Sequence, residues 1–421
     1  MMFNTARTWM KPDQWPAFAR GLLAYGSAEA ATRVVRLGAI LVVARQISPE
    51  LLGTAALALS LFEIVRVLTS VGVGQRIIIA TDVELASICN AAHRLFWTIC
   101  LAVMAIQLAV AAIAWTVFQL GDVAAMLAVL SAVYLFMPAG LVHIFLAMRA
   151  QKMAATARVA ALQNIADAAL TVALVLIWPS AWAIVLPKLL TAPIWLIAAR
   201  GTYQWSPAKD VAAAPTQEFA SFGPAILGSE MLNAARIHGD KLVVGALLGT
   251  EALGLYYFAF NAGLGITQSF VAACNLVLFP HLAKAGKDQV GQEFRRSFGF
   301  GLTLLLPVVI AQAVLAPLYV PIVFGENWIE AVPYVALLAG AALPLYAGAI
   351  LGAHYRALNT PLSETVLMAA ATLAALIGLT VGASFGLAAA CLGFGVGLSI
   401  ILIPAAAIQL LTVSKPIAAN V

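Results

Sequence analysis

Long apolar runs separated by short polar breaks fill this chain almost from end to end. A helix needs about 20 apolar residues to cross a bilayer's hydrocarbon, and twelve runs reach that length. The first six are 21–45, 51–75, 94–118, 123–147, 156–178 and 181–199. The second six are 219–247, 252–279, 297–323, 331–354, 362–383 and 386–412. Between the sixes lies the polar stretch Arg200–Glu218, with TYQWSPAKD and Pro215. The pattern predicts an all-α polytopic membrane protein with about twelve transmembrane helices. Its parts are an interfacial segment at 1–20, a six-helix half at 21–199, a cytoplasmic linker at 200–218, a second six-helix half at 219–412 and a cytoplasmic tail at 413–421.

The two halves carry a visible repeat. GAILVVARQISPELLGTAALA (38–58) and GDKLVVGALLGTEALGLYYFA (239–259) share eight of 21 positions at an offset of 201. The shared residues include Glu50/Glu251, Leu52/Leu253 and Gly53/Gly254, and the same offset pairs Glu29 with Glu230. Six spans per half make the halves parallel in the membrane, related by a pseudo-twofold axis along the membrane normal.

Composition agrees with lipid as the main solvent. The chain is 63% hydrophobic and 10% charged, with mean hydropathy +0.98, whereas soluble domains carry roughly 25% charged residues. Of 23 Lys and Arg, 16 fall on ends and loops that share one side, among them Arg7, Lys11, Arg20, Arg76, Arg149, Lys152 and Arg356. The positive-inside rule makes that side the cytoplasm and puts both termini there. The net charge of +5 therefore needs no nucleic-acid partner. Opposite loops such as 119–122 and 384–385 are very short, which leaves no room for an external domain that polymerises or ligates sugars. Cys89, Cys100, Cys274 and Cys391 show no metal or redox spacing. No P-loop, HExxH or GxSxG pattern appears. No catalytic residue, metal site or cofactor is expected.

Chemistry concentrates in charges inside the spans. These are Arg33, Arg36, Arg66, Lys188, Arg236 and Lys241, against Glu29, Glu63, Asp167, Glu230 and Asp240. A charge at mid-bilayer costs several kcal/mol unless it meets a partner or water. Glu29, Arg33 and Arg36 fall within about 60° on one helix face, as do Asn233, Arg236 and Asp240. Glu29–Arg33, Glu63–Arg66, Arg236–Asp240 and Asp167–Lys188 can each form an ion pair. Arg36 then has no acid on its own helix. Arginine's planar fork of donors matches phosphate oxygens, so Arg33, Arg36, Arg66, Arg236 and Lys241 are candidate cavity cations. Glu29, Asp167, Glu230 and Asp240 are candidate coupling or ion-pair acids. Gly245/Gly249, Gly348/Gly352 and the run Gly393, Gly395, Gly397 read as close helix packing. Pro138, Pro187, Pro193, Pro307, Pro317 and Pro344 predict kinks.

QISPELLGTAALALSLFEIVRVLTSVGVGQ (46–75) resembles the start of polysaccharide exporters of the oligosaccharide-flippase type, relatives of multidrug and toxin extruders and of lipid II flippases. The residues that carry the likeness are Ser48, Pro49, Glu50, Gly53, Gly72, Gly74 and Gln75. In the second half they are Asp240, Gly249, Gly254 and Tyr256. The resemblance implies a multidrug-and-toxin-extruder-like fold in a bacterial cytoplasmic membrane. It implies that a polyprenyl-pyrophosphate-linked oligosaccharide is flipped to the outer leaflet by alternating access, for surface or exopolysaccharide synthesis. The expected partners are that lipid-linked substrate and membrane lipid; the expected state is a monomer, with a polysaccharide polymerase or chain-length protein as a further candidate partner. The alternative is an ion-coupled extruder of small molecules, whose cavity would need acids and aromatics to hold a cation.

Overall fold

The computed structural model describes residues 38–413 apart from 221–222, 266, 268–270, 272–277, 279–281 and 283–285. Among the described residues, nine helices are long and apolar enough to cross a membrane, or ten if one bent pair counts as a span. The elements used below are α1 (Pro49–Arg66), α2 (Val73–Ile79), α3 (Leu85–Thr116), α4 (Gly121–Leu130), α5 (Pro138–Arg149), α6 (Met153–Ile177), α7 (Ala181–Leu190) and α8 (Ala192–Thr202). They continue with α9 (Gly223–Ala259), α10 (Gly286–Phe324), α11 (Val332–Gly340), α12 (Ala342–Ala357), α13 (Pro361–Ala383) and α14 (Leu387–Val413). The first expected span lies outside the described residues except for a helical end at 38–46.

The seventh and eighth expected spans share α9, which folds back at Gly249 (φ 86°, ψ 178°). Tyr256 reaches Asp240 at 2.9 Å, although 16 residues of straight helix would hold them about 24 Å apart. Only glycine takes that backbone conformation readily, and a Cβ on Gly249 would meet nothing. Gly249 is therefore a turn residue, not the packing partner that the GxxxG spacing suggests. The offset of 201 places Ser48 on Gly249, and the chain breaks there too, at Ile47–Ser48. In the first copy the work is done by a cap: Leu52 N–H donates to the Ser48 carbonyl at 3.0 Å, and Pro49 opens α1.

Prolines shape several spans. Gly121–Leu135 and Pro138–Arg149 meet at 55°; Pro138 opens the second helix and has no N–H with which to continue the hydrogen-bond ladder of the first. The sixth span breaks at Thr191, between α7 with Pro187 inside it and α8 with Pro193 in its first turn. Pro307, Pro317 and Pro321 are instead absorbed within α10.

By packing, the described residues form two compact units: 38–46 with Val65–Met231, and Ile47–Ile64 with 232–413. In the first, Ile77, Ile88, Ala92, Phe96, Val142, Leu146 and Phe219 form a buried cluster. The polar stretch expected as a linker folds onto this cluster. Asn90 Nδ2 donates to the carbonyls of Ala208 and Val211 at 2.8 and 2.9 Å. Its Oδ1 accepts from Ala208 N–H at 3.0 Å. Trp205 sits between His93 and His143, with ring centroids 5.4 and 5.8 Å away.

In the second unit Phe258 stacks on the fully buried Trp328 at 4.1 Å and meets Phe324 edge-on at 4.9 Å. α13 and α14 pack backbone against backbone: a Cβ on Gly378 would strike the Gly393 carbonyl, and one on Gly393 would strike that of Gly378. Small residues let helices approach where lipid gives no hydrophobic drive for association. The opposite faces carry Leu373, Ile377, Val381, Leu392, Ile400 and Ile408, all exposed, as a surface against lipid requires.

Candidate functional site: charges within the membrane spans

The fold-back at Gly249 builds a polar knot inside the second unit. Lys241 Nζ lies 3.0 Å from Asp240 Oδ1 and donates to the Ile237 carbonyl at 2.6 Å. Tyr256 donates its hydroxyl proton to Asp240 Oδ2, and the Lys241 ammonium sits 4.2 Å over the Phe260 ring. The two charged side chains are 1% and 6% exposed. A buried pair tolerates this because every charged group is met by a hydrogen bond or a ring face. Lys241, expected as a cavity cation, is thus sealed in an ion pair. Asp240, expected to face Arg236, faces Lys241 instead. The partner role of Tyr256 escaped the sequence reading, although the signal was present. Asp240 and Tyr256 stand nearly equidistant from Gly249, so a tight turn there pairs them.

Arg236 is left different. It lies on α9, exposed, and among the described residues its Nη2 donates to Asn233 Oδ1 at 2.9 Å. Glu230, on the same helix, is also exposed. This stretch of α9 is therefore polar and accessible at Glu230, Asn233 and Arg236, then closes into the knot at Asp240. Chemically it offers a guanidinium fork for an anion.

In the first unit Lys188 on α7 and Asp167 on α6 pair across helices at 3.0 Å, as the sequence allows. They are 32% and 21% exposed, and Asp167 Oδ1 has no hydrogen-bond partner. Glu63 and Arg66 lie near the end of α1, both with polar partners. Glu29, Arg33 and Arg36 lie outside the described residues.

One end of the first unit is basic and tightly cross-tied. Arg76 holds Glu84 at 3.0 Å and Glu218 at 2.8 Å. Arg149 Nη2 reaches Asp82 at 2.6 Å, and its Nη1 donates to the carbonyls of Ile78 and Ala80. Hydrogen bonds from Arg76 and then from the Thr81 N–H hold the Glu84 carboxyl far below the usual range, at about 2. Lys152 lies over the Tyr203 ring at 5.3 Å. A pocket of about 390 Å³ opens here, beside Asp82, Arg149 and Tyr203.

Fold and charges together define a multi-pass, all-helical membrane protein with an internal repeat and polar groups held within its spans. The chain belongs to the family described as polysaccharide biosynthesis protein, which matches residues 42–333. It is 27% identical over 138 residues to the teichuronic acid biosynthesis protein TuaB of Bacillus subtilis, covering 32% of this chain and 29% of that protein. It is 25% identical over 172 residues to the lipopolysaccharide biosynthesis protein WzxC of Escherichia coli, covering 39% and 35%. The succinoglycan biosynthesis transport protein ExoT of Rhizobium meliloti matches at 22% over 303 residues, covering 71% and 60%. The matches thus span about a third of the first two relatives and three fifths of ExoT. Among solved structures, the lipid II flippase MurJ in an inward closed conformation superposes with TM-score 0.76 at 11% identity, covering 94% of this chain and 88% of that one. An inward-facing multidrug resistance transporter of the MATE family gives 0.68 at 13%, covering 91% and 94%. These likenesses establish the fold, which is the multidrug-and-toxin-extruder-like fold expected from the sequence.

Proposed function

We propose that this protein translocates a polyprenyl-pyrophosphate-linked oligosaccharide across a bacterial cytoplasmic membrane by alternating access, as a step in surface or exopolysaccharide biosynthesis. Family membership supports the pathway. The observation that carries the site is Arg236, an accessible guanidinium within an apolar span whose helix-mate acid is taken by Lys241. Such a fork binds two phosphate oxygens at once, which a lysine ammonium does not. Arg33, Arg36 and Arg66 are further candidate cations by position, and Glu29 and Glu230 candidate acids. The basic end of the first unit, with Arg76, Arg149 and Lys152, faces the cytoplasm in this reading, and both termini lie on that side.

An extruder of small cations would use an acid in its spans. Asp240 is bound by Lys241 and Tyr256 and Asp167 by Lys188, whereas Glu230 is exposed on α9 and is the acid such a reading would use. The family match favours the anionic substrate.

The test is export of surface polysaccharide by Arg236 variants in a deletion strain, with membrane abundance measured in parallel. Arg236→Glu abolishes export while the protein reaches the membrane, and Arg236→Lys retains part of it. Normal polymer output from Arg236→Glu would remove Arg236 from the site.

A further inference from the structure

The cavity beside Arg149 has no role in the transport reading. It lies within the first unit, where several spans end together. Leu85 opens one span, Thr202 closes another and Arg149 closes the bent pair. The cavity holds about 390 Å³, the size of a small-ligand site. Its lining is of two kinds. Ile78, Leu85 and Leu146 are apolar, whereas Asp82, Arg149 and Tyr203 are polar. The Tyr203 ring also carries the Lys152 ammonium, 5.3 Å from its centre.

Most of this site is held in shape. Arg149 Nη1 donates to the carbonyls of Ile78 and Ala80. The Thr81 N–H donates to Glu84 Oε1 at 2.7 Å, and Arg76 holds the same carboxylate at 3.0 Å. The chain between α2 and α3 is therefore pinned from both sides. Tyr203 is pinned by its carbonyl, 2.7 Å from His143 Nδ1. Asp82 is the exception. Its side chain is 95% exposed, against 22% for Arg149, which it meets at Nη2. A pair so open to water contributes little to stability. Another acceptor can take Nη2 without disturbing the Nη1 bonds that fix the loop. Two cations thus border the cavity, against one acid that is easily displaced.

The rim carries the second clue. Ile79 is 58% and Val83 98% exposed, and Val83 is the neighbour of Asp82. Open apolar side chains next to basic ones, at the ends of spans, match a ligand with an anionic head and an apolar tail. Basic pockets between membrane helices bind lipid headgroups in this way. A soluble phosphate would gain nothing from the apolar floor or rim.

The geometry points to a binding site for an anionic phospholipid. The headgroup phosphate takes the place of Asp82 at Arg149 Nη2, in the geometry that a guanidinium fork favours, and Lys152 supplies the second charge. The glycerol and the first acyl carbons rest on Ile78, Leu85 and Leu146. The site uses none of the candidate cavity cations, and it stands or falls independently of the transport reading.

The test uses the full chain in vesicles of dioleoylphosphatidylcholine that contain a photoactivatable phosphatidylglycerol, with labelled peptides mapped by mass spectrometry. Labelling is expected on the segments around 78–85 and Tyr203, and unlabelled phosphatidylglycerol should compete it away. Lys152→Gln should weaken binding about fivefold, the value of one basic charge near an anionic membrane surface. Asp82→Asn should strengthen it, because the competing carboxylate is gone. Lys209→Gln removes an exposed charge from the stretch that follows Tyr203, outside the cavity lining, and should change nothing. Lys152 and Asp82 are both exposed, so these variants keep the fold, which size-exclusion profiles verify. Labelling elsewhere, equal competition by phosphatidylcholine, or equal losses in Lys152→Gln and Lys209→Gln overturn the site. Weaker binding by Asp82→Asn overturns the exchange at Arg149. Competition by soluble glycerol phosphate as strong as that by phosphatidylglycerol overturns the lipid as occupant.

Discussion

Each unit holds an aspartate–lysine pair inside its spans, both at 3.0 Å, and the two pairs are built for different ends. Asp240–Lys241 comes from neighbouring residues of one helix, nearly sealed, with a tyrosine hydroxyl and an aromatic face completing it. Asp167–Lys188 joins two helices, is a fifth to a third exposed, and leaves one carboxylate oxygen without a partner. The first is a structural lock that holds the fold-back at Gly249. The second ties two helices together and is less enclosed. Distance alone would have equated them; burial and the groups around them separate them. The same contrast sets off Arg236, whose partner among the described residues is Asn233 rather than an acid.

The largest expected effect is from Asp240→Ala, which strands the Lys241 ammonium in a dry site. Removing one partner of a buried pair costs about 3–5 kcal/mol, so the variant should lose thermal stability in detergent or fail to accumulate. Asp167→Ala should cost less, since Lys188 is about a third exposed and its long stem lets the ammonium move toward the membrane surface. Equal losses in the two variants would break the comparison.

Exchanging the charges sharpens it. Asp167→Lys with Lys188→Asp should fold, because the two side chains meet across a gap that either arrangement spans. Asp240→Lys with Lys241→Asp should not, because neighbours on a helix point about 100° apart and the acid leaves the reach of Tyr256. Expression and melting temperature of both double variants decide this. Tyr256→Phe removes one hydrogen bond to a buried carboxylate and should cost about 1.5–3 kcal/mol. That loss should vanish in an Asp240→Asn background if the bond is the cause.

The smallest effect lies at the basic end of the first unit. Glu84 has a carboxyl pKa depressed from 4.5 to about 2, so its contribution is full above pH 4.5 and is lost as pH falls through about 2. The melting temperatures of the natural protein and of Glu84→Gln should therefore converge on acidification. A gap that persists unchanged at pH 2 would contradict the pairing with Arg76.

Much of the architecture was legible in the sequence. Among the described residues the long apolar helices fall in the expected runs, and the repeat at offset 201 aligns the break at Ile47–Ser48 with Gly249. Asp167–Lys188 was legible because each stood alone among apolar residues and needed a partner. Asp240 was misdirected to Arg236, since helical periodicity groups residues on one straight helix and is blind to what folds back across it. Gly249 misled for a related reason: a GxxxG spacing cannot tell a packing glycine from a turn glycine, and only the φ of 86° does so.

The most direct test of the account is deletion of the gene, followed by analysis of polyprenyl-linked glycans and of surface polysaccharide. The account predicts loss of the surface polymer, with lipid-linked units accumulating on the cytoplasmic leaflet and export restored by the natural chain. An unchanged glycan profile would contradict it.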